Sequence, residues 1–137
     1  MGSDRAVRMF LAGTYLNNSG GSVTFTLRVK FGGTTWIDVA SPSIATSTIS
    51  RAWWIEVIIF NLGNASANKI LMRTLGSSAT TLTAGVGGLA SPAWEGAAHA
   101  DSSVNTGSTQ TLAVTFQHST AHANLALFRQ HAFIELL

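Results

Sequence analysis

The chain has no cysteine in its 137 residues. That removes disulfide staples, thiolate metal ligands and cysteine nucleophiles, and it fits synthesis in a reducing compartment. Charge is scarce as well. Asp, Glu, Lys and Arg make up 10% of the chain, against about 25% in an average protein. A lone soluble domain needs more charge than this to stay dispersed, so the shortage points to a surface partly covered by a partner subunit. A basic run is also missing. The net charge of +2 comes from scattered pairs such as Arg5 and Arg8, Arg28 and Lys30, Lys69 and Arg73, whereas a phosphate-tracking surface wants several clustered cations. Nucleic acid is not an expected partner. Nor is a membrane: no segment reaches the ~20 apolar residues of a spanning helix, the best run (52–62) is broken by Glu56, and no signal-peptide pattern opens the chain.

Catalytic signatures are equally absent. The six acids are spread singly along the chain, and no spacing suggests the paired carboxylates of a glycosidase. There is no Gly-x-Ser-x-Gly nucleophile motif. Gly85-Val86-Gly87-Gly88 lacks the Lys-Ser/Thr and the strand-to-helix setting of a phosphate loop. His118 and His122 have i, i+4 spacing, which binds zinc on a helix. Here they flank Ser119-Thr120-Ala121, a hairpin turn by composition, with no Glu or Cys beside them. A symmetric trimer would still allow one histidine per subunit to meet on its axis. Asn17-Asn18-Ser19 and Asn64-Ala65-Ser66 match the glycosylation sequon only as turns rich in Asn and Ser do by chance. The expectation is a protein that is not an enzyme, with no cofactor and no metal of its own.

What the chain does have is strand periodicity. Residues 22–31 alternate without a break, with Val23, Phe25, Leu27, Val29 and Phe31 on one face and Thr24, Thr26, Arg28 and Lys30 on the other. Further strands are expected over 7–16, 34–39, 51–61, 68–75, 110–117 and 124–137, with one or two short ones near Trp94 and His99. Gly32-Gly33, Gly63-Asn64 and the Asn-Ser-Gly run 17–21 supply turns between them. No window carries a helical 3.6-residue repeat, and there is no internal repeat or linker. A single domain over residues 1–137 is expected, all-β, a sandwich or jelly roll of about eight antiparallel strands.

The strand over 51–60 departs from simple alternation. Trp53, Ile55, Val57 and Ile59 form one face, while Trp54, Glu56, Ile58 and Phe60 form the other. Both are largely apolar, although a strand of a two-sheet sandwich ordinarily shows one face to water. The second face therefore needs a cover, either a neighbouring subunit or the long Gly/Ser/Thr/Ala loop 76–107. Burial of Trp54, Ile58 and Phe60 would contribute roughly 2 kcal/mol each, enough for a permanent interface. Glu56, alone among them, needs a cation, with Arg51, Arg73 or an arginine of a neighbour as candidates. Of the four tryptophans, only Trp94 in the long loop is a candidate for exposure, which would make that loop a recognition site for a sugar ring; core or interface packing of the indoles outweighs this reading.

The order of several segments carries a family likeness. Asp4-Arg5-Ala6-Val7-Arg8 leads into 11–20, then Thr26-Leu27-Arg28-Val29-Lys30-Phe31-Gly32-Gly33-Thr34-Thr35, Arg51-Ala52-Trp53, Ala100-Asp101-Ser102-Ser103, Gln110-Thr111-Leu112-Ala113-Val114 and Glu135-Leu136-Leu137. This resembles the trimeric, TNF-like jelly-roll structural proteins of tailed bacteriophages and prophages over nearly the whole chain. Members of that family carry one more strand ahead of the Asp-Arg segment, which is short or missing here. The resemblance implies a homotrimeric virion protein on the particle surface. It would be a capsid decoration (cement) or head-fibre protein seated on the major capsid protein or other virion proteins, with Trp54, Ile58 and Phe60 between subunits. The alternative it implies is a tail-fibre head that binds a host-surface glycan through the Trp94 loop.

Overall fold

In the computed structural model, residues 5–76 and 94–137 are described. They form eight strands: β1 (Ala6–Asn17), β2 (Phe25–Phe31), β3 (Thr34–Ala40), β4 (Arg51–Asn64), β5 (Ala67–Gly76), β6 (Trp94–Ser102), β7 (Leu112–His118) and β8 (Leu125–Leu136). A five-stranded sheet in the order β6-β5-β4-β1-β8 packs on a three-stranded sheet in the order β3-β2-β7. Every paired neighbour is antiparallel. The protein is thus an all-β sandwich, and no described helix is long and apolar enough to cross a membrane.

Local chemistry sets each element. The alternating segment becomes β2, and all five of its predicted inward side chains, from Val23 to Phe31, are buried. Its hairpin to β3 closes through Gly32 and Gly33 at φ of 60° and 82°. Those left-handed values are cheap only for glycine and match the right-handed twist of the flanking strands. Trp53, Ile55, Val57 and Ile59 of β4 are buried opposite β2 in the core. An aromatic chain then stitches the two sheets together. Trp94 meets Tyr15 at 4.7 Å and Phe25 at 4.8 Å, Phe25 meets Phe116 at 5.3 Å, and Phe116 meets Trp53 at 5.2 Å, in tilted or edge-on geometries that suit ring quadrupoles.

Two buried asparagine clusters pin the loops at the ends of the sandwich. Asn61 Nδ2 donates to Thr106 Oγ1 at 3.0 Å, and Asn68 Nδ2 donates to the Val104 carbonyl at 2.8 Å, which holds the 103–111 loop against the β4–β5 hairpin. At the other end Asn17 is 2% exposed. Its amide nitrogen donates to the carbonyls of Gly21 (3.0 Å) and Ile44 (2.9 Å), and its oxygen accepts from the Ser19 hydroxyl (2.7 Å) and backbone N–H (3.2 Å). Replacing Asn17 with Ala takes a donor from two carbonyls, leaving Ile44 with the Val23 N–H and Gly21 with the Ser19 hydroxyl, and removes the acceptor for Ser19; Asn17→Asp keeps the acceptor but loses both donors and places a carboxylate against the two carbonyls. Each variant should lower stability by about 2–3 kcal/mol, to be read from the midpoint of urea unfolding.

Candidate interaction surface

The outer face of the five-stranded sheet is not a uniform solvated surface. Trp54, Glu56, Ile58 and Phe60 of β4 lie there, half-buried between the side chains of β1 and β5. Register places Phe10 of β1 beside Glu56 and Phe133 of β8 beside Phe10. The rings of Trp54, Phe10 and Phe133 stack in a row across three strands, with centroids 6.1 and 5.3 Å apart and planes within 18° and 21°. Alongside runs a row of alternating charge. Glu135 lies 2.8 Å from Arg8, Arg8 lies 2.7 Å from Glu56, and Arg73 stands 3.9 Å from Glu56. The hydrogen bond to Glu135 raises the Arg8 pKa; burial opposes it and the charge of Glu56 adds to it. The net result is a face whose few charges satisfy one another and leave the aromatic row as its main feature.

At the edge of this sheet β8 pairs with β1. A bulge between Ala12 and Gly13 of β1, opposite His131 and Arg129, inserts Gln130 and shifts the alternation of β8. Large apolar side chains then appear on both of its faces: Phe128 (56% exposed), Phe133, Ile134 (64%) and Leu136 (58%), followed by Leu137. The smaller sheet has three strands against five, so it does not reach across to cover the inner side of β8. A cavity of about 280 Å³ opens there between the sheets, lined by Val7, Phe31, Ile59, Leu112 and Ile134 with Gln110 at its rim. A second hollow, of about 350 Å³, lies along Met9, Leu11, Ala132 and Phe133. A third, of about 420 Å³, joins Phe60 and Leu71 to Leu62 and Leu137, so the apolar surface of β4 and that of β8 run together.

The other expected residues fall as follows. Trp94 is not exposed. It opens β6, is 3% exposed, and donates its indole N–H to Thr74 Oγ1 at 3.2 Å. Gly76, its register partner, has no side chain, and the indole fills that space. The candidacy of Trp94 for exposure and sugar stacking is therefore corrected in favour of the core packing that outweighed it, and the glycan-binding alternative loses the residue that carried it. Glu56 takes Arg8 as its close partner, with Arg73 further off. Arg51 instead donates to the Tyr15 hydroxyl at 3.4 Å. Burial pushes the Tyr15 phenol up, partly offset by that same Arg51. Of the loop expected to cover β4, residues 94–102 form the edge strand β6 and 103–107 pack at the end of the sandwich; residues 77–93 lie outside the described residues. His118 ends β7, and His122 Nδ1 accepts from the Asn124 N–H at 3.1 Å within the turn to β8. Among the described residues no group of three or more His, Asp or Glu is placed to hold a metal.

The apolar edge of β8 escaped the sequence reading. The signal was present: Phe133 and Ile134, then Leu136 and Leu137, put large apolar residues on both parities of one strand, as in β4. What the sequence lacked was any mark that this strand stands at an edge. No protein-family model, curated protein or solved structure matches the chain.

Proposed function

We propose that the protein is a structural subunit of a virus particle: a homotrimer that decorates the outer capsid or forms a head fibre, and stabilises the particle surface without catalysis. The observation that carries this reading is the continuous apolar surface from Trp54 and Phe60 on β4 to Phe133, Ile134 and Leu136 on β8. On a chain this poor in charge, such a surface needs partner subunits to leave water. The resemblance to trimeric phage structural proteins supplies the particle. Strand pairing supports a jelly-roll reading in part. A jelly roll folds from a long hairpin of eight strands in which the first pairs with the last and each inner pair is nested within it. Three of those four pairs are hydrogen-bonded here, β1 with β8, β2 with β7 and β4 with β5. β3 and β6 come together without pairing, and β4 and β5 extend the sheet of β1 and β8.

Trimerisation would work by area burial, each subunit covering a neighbour's apolar face while one end of the assembly meets the capsid lattice. The test is sedimentation equilibrium of the purified chain at micromolar concentration. The expected species has about three times the 14.4 kDa chain mass, and a stable monomer would overturn the reading. Within it, Trp54→Asp places a charge in the stacked row beside Phe10 and should dissociate the oligomer while the sandwich, whose core lies on the opposite face, stays folded by circular dichroism. Co-sedimentation of the trimer with capsids stripped of surface proteins checks the partner; no binding would remove the decoration role.

A further inference from the structure

We propose that the free edge and C-terminal half of β8, rather than the centre of the β4 face, is the principal contact through which one copy of this chain grips the next. The proposal rests on the oligomeric reading above and names the surface it uses.

The two edges of the larger sheet differ sharply. β6, at one end, presents Glu95, Ala97, His99 and Asp101 on its outer face, with only Gly96, Ala98 and Ala100 between Trp94 and Ser102 on the inner one. Small and charged residues of that kind guard an edge against pairing with another chain. β8, at the other end, has no Lys and no Pro. Its polar residues gather at the bulge, Arg129 to His131, and beyond them the one charge is Glu135, whose carboxylate is taken up by Arg8. Among the described residues no strand pairs with this edge, and from Ala132 onward it offers unguarded backbone, flanked on both faces by apolar side chains. An edge this long and this greasy persists in a soluble protein only where something pairs with it or covers it.

The occupant is a second copy, for two reasons. First, the area fits. Five large side chains, each about half exposed, present roughly 500 Å². A stable interface takes about 800 Å² per partner, and the contiguous Trp54, Ile58, Phe60 and Leu62 surface supplies the remainder. Second, the same strand carries both halves of a contact. Phe128, Leu136 and Leu137 project as knobs, while the 280 and 350 Å³ hollows on either side of Ile134 receive side chains of that size. With knobs and hollows on one rim, each copy in a ring of three can place its knobs in the hollows of the next.

The test is sedimentation velocity and native mass spectrometry on the wild-type chain, on Ile134→Asp/Leu136→Asp, and on Ala97→Asp at the opposite edge as a control. The substituted residues are exposed, so near-ultraviolet circular dichroism and melting temperature should stay close to wild type. The expected result is an oligomeric wild type, an oligomeric Ala97→Asp and a monomeric β8 variant. A β8 variant that stays folded and fully oligomeric would overturn this proposal and leave the oligomeric reading standing, whereas a monomeric wild type would overturn both. Should the double variant fail to fold, the absence of cysteine offers a second route. In Ile134→Cys a single thiol is labelled by maleimide; protection that grows with protein concentration supports the contact, and a concentration-independent rate equal to that of Ala97→Cys overturns it.

Discussion

Trp94→Ala should lower the stability of the sandwich by about 3–5 kcal/mol, as removal of a buried aromatic ring does. The indole touches Tyr15 of β1 and Phe25 of β2, so its loss opens a cavity where β6, β1 and β2 converge. It also removes the donor that Thr74 Oγ1 accepts from; that hydroxyl in turn donates to the Trp54 carbonyl, so the rearrangement reaches the β4–β5 pairing. The urea midpoint should fall while the denaturant slope stays constant, which separates lost stability from a change in compactness. Trp94→Phe should recover part of the loss by refilling the ring volume without the N–H. If Trp94→Ala were instead as stable as wild type, the buried position of the indole would be wrong and a role at the surface would return.

Gly13→Ala should be comparably severe, for a different reason. Gly13 sits where the β8 bulge presses its backbone onto β1. A methyl group there would overlap the carbonyl oxygen of Phe128 and come within 2.9 Å of its carbonyl carbon. The obstacle is main chain held in a sheet, not the tip of a flexible side chain, so relief requires breaking the bulge. A cost of about 3 kcal/mol or more is expected, at the upper end of overpacking effects. Gly20→Ala provides the contrast. Gly20 has a φ of 83° but nothing near its would-be Cβ, so the change should cost only the left-handed strain, about 1–2 kcal/mol. Because β8 depends on that bulge, Gly13→Ala should also raise protease sensitivity near residues 125–136 before other strands are cut.

How far the chain could be read ahead of its structure depended on what sort of information each feature needed. β2 and β4 were legible because a strand writes its own period, and the inward residues from Val23 to Phe31 and from Trp53 to Ile59 follow directly from alternation. The hairpin at Gly32-Gly33 was legible because two consecutive left-handed residues leave few alternatives to glycine. β6 was only glimpsed. Its inner positions, Gly96, Ala98 and Ala100, are too small to show a hydrophobic alternation, so Trp94 appeared stranded in a loop. The pairing of Glu56 with Arg8 was hidden because it depends on β1 and β4 meeting in one particular register across most of a domain. Edge position was hidden for the same reason: which strand ends a sheet follows from the order of all the others, and no local pattern in β8 records it.

The placement of β1 also bears on how the molecule is made. The first of the described strands lies inside the larger sheet, with β4 on one side and β8 on the other. Arg8 reaches a hydrogen-bond partner 127 positions away in Glu135. A nascent chain emerging from the ribosome can zip β2 to β3 and β4 to β5 as they appear, but β1 lacks its pairing with β8 until that strand has followed the other described ones out. Contacts of such long sequence separation are the slow ones to form, and the wait leaves a strand flank open to the wrong neighbour. Closure of the sheet and creation of the sticky rim on β8 are therefore a single late event.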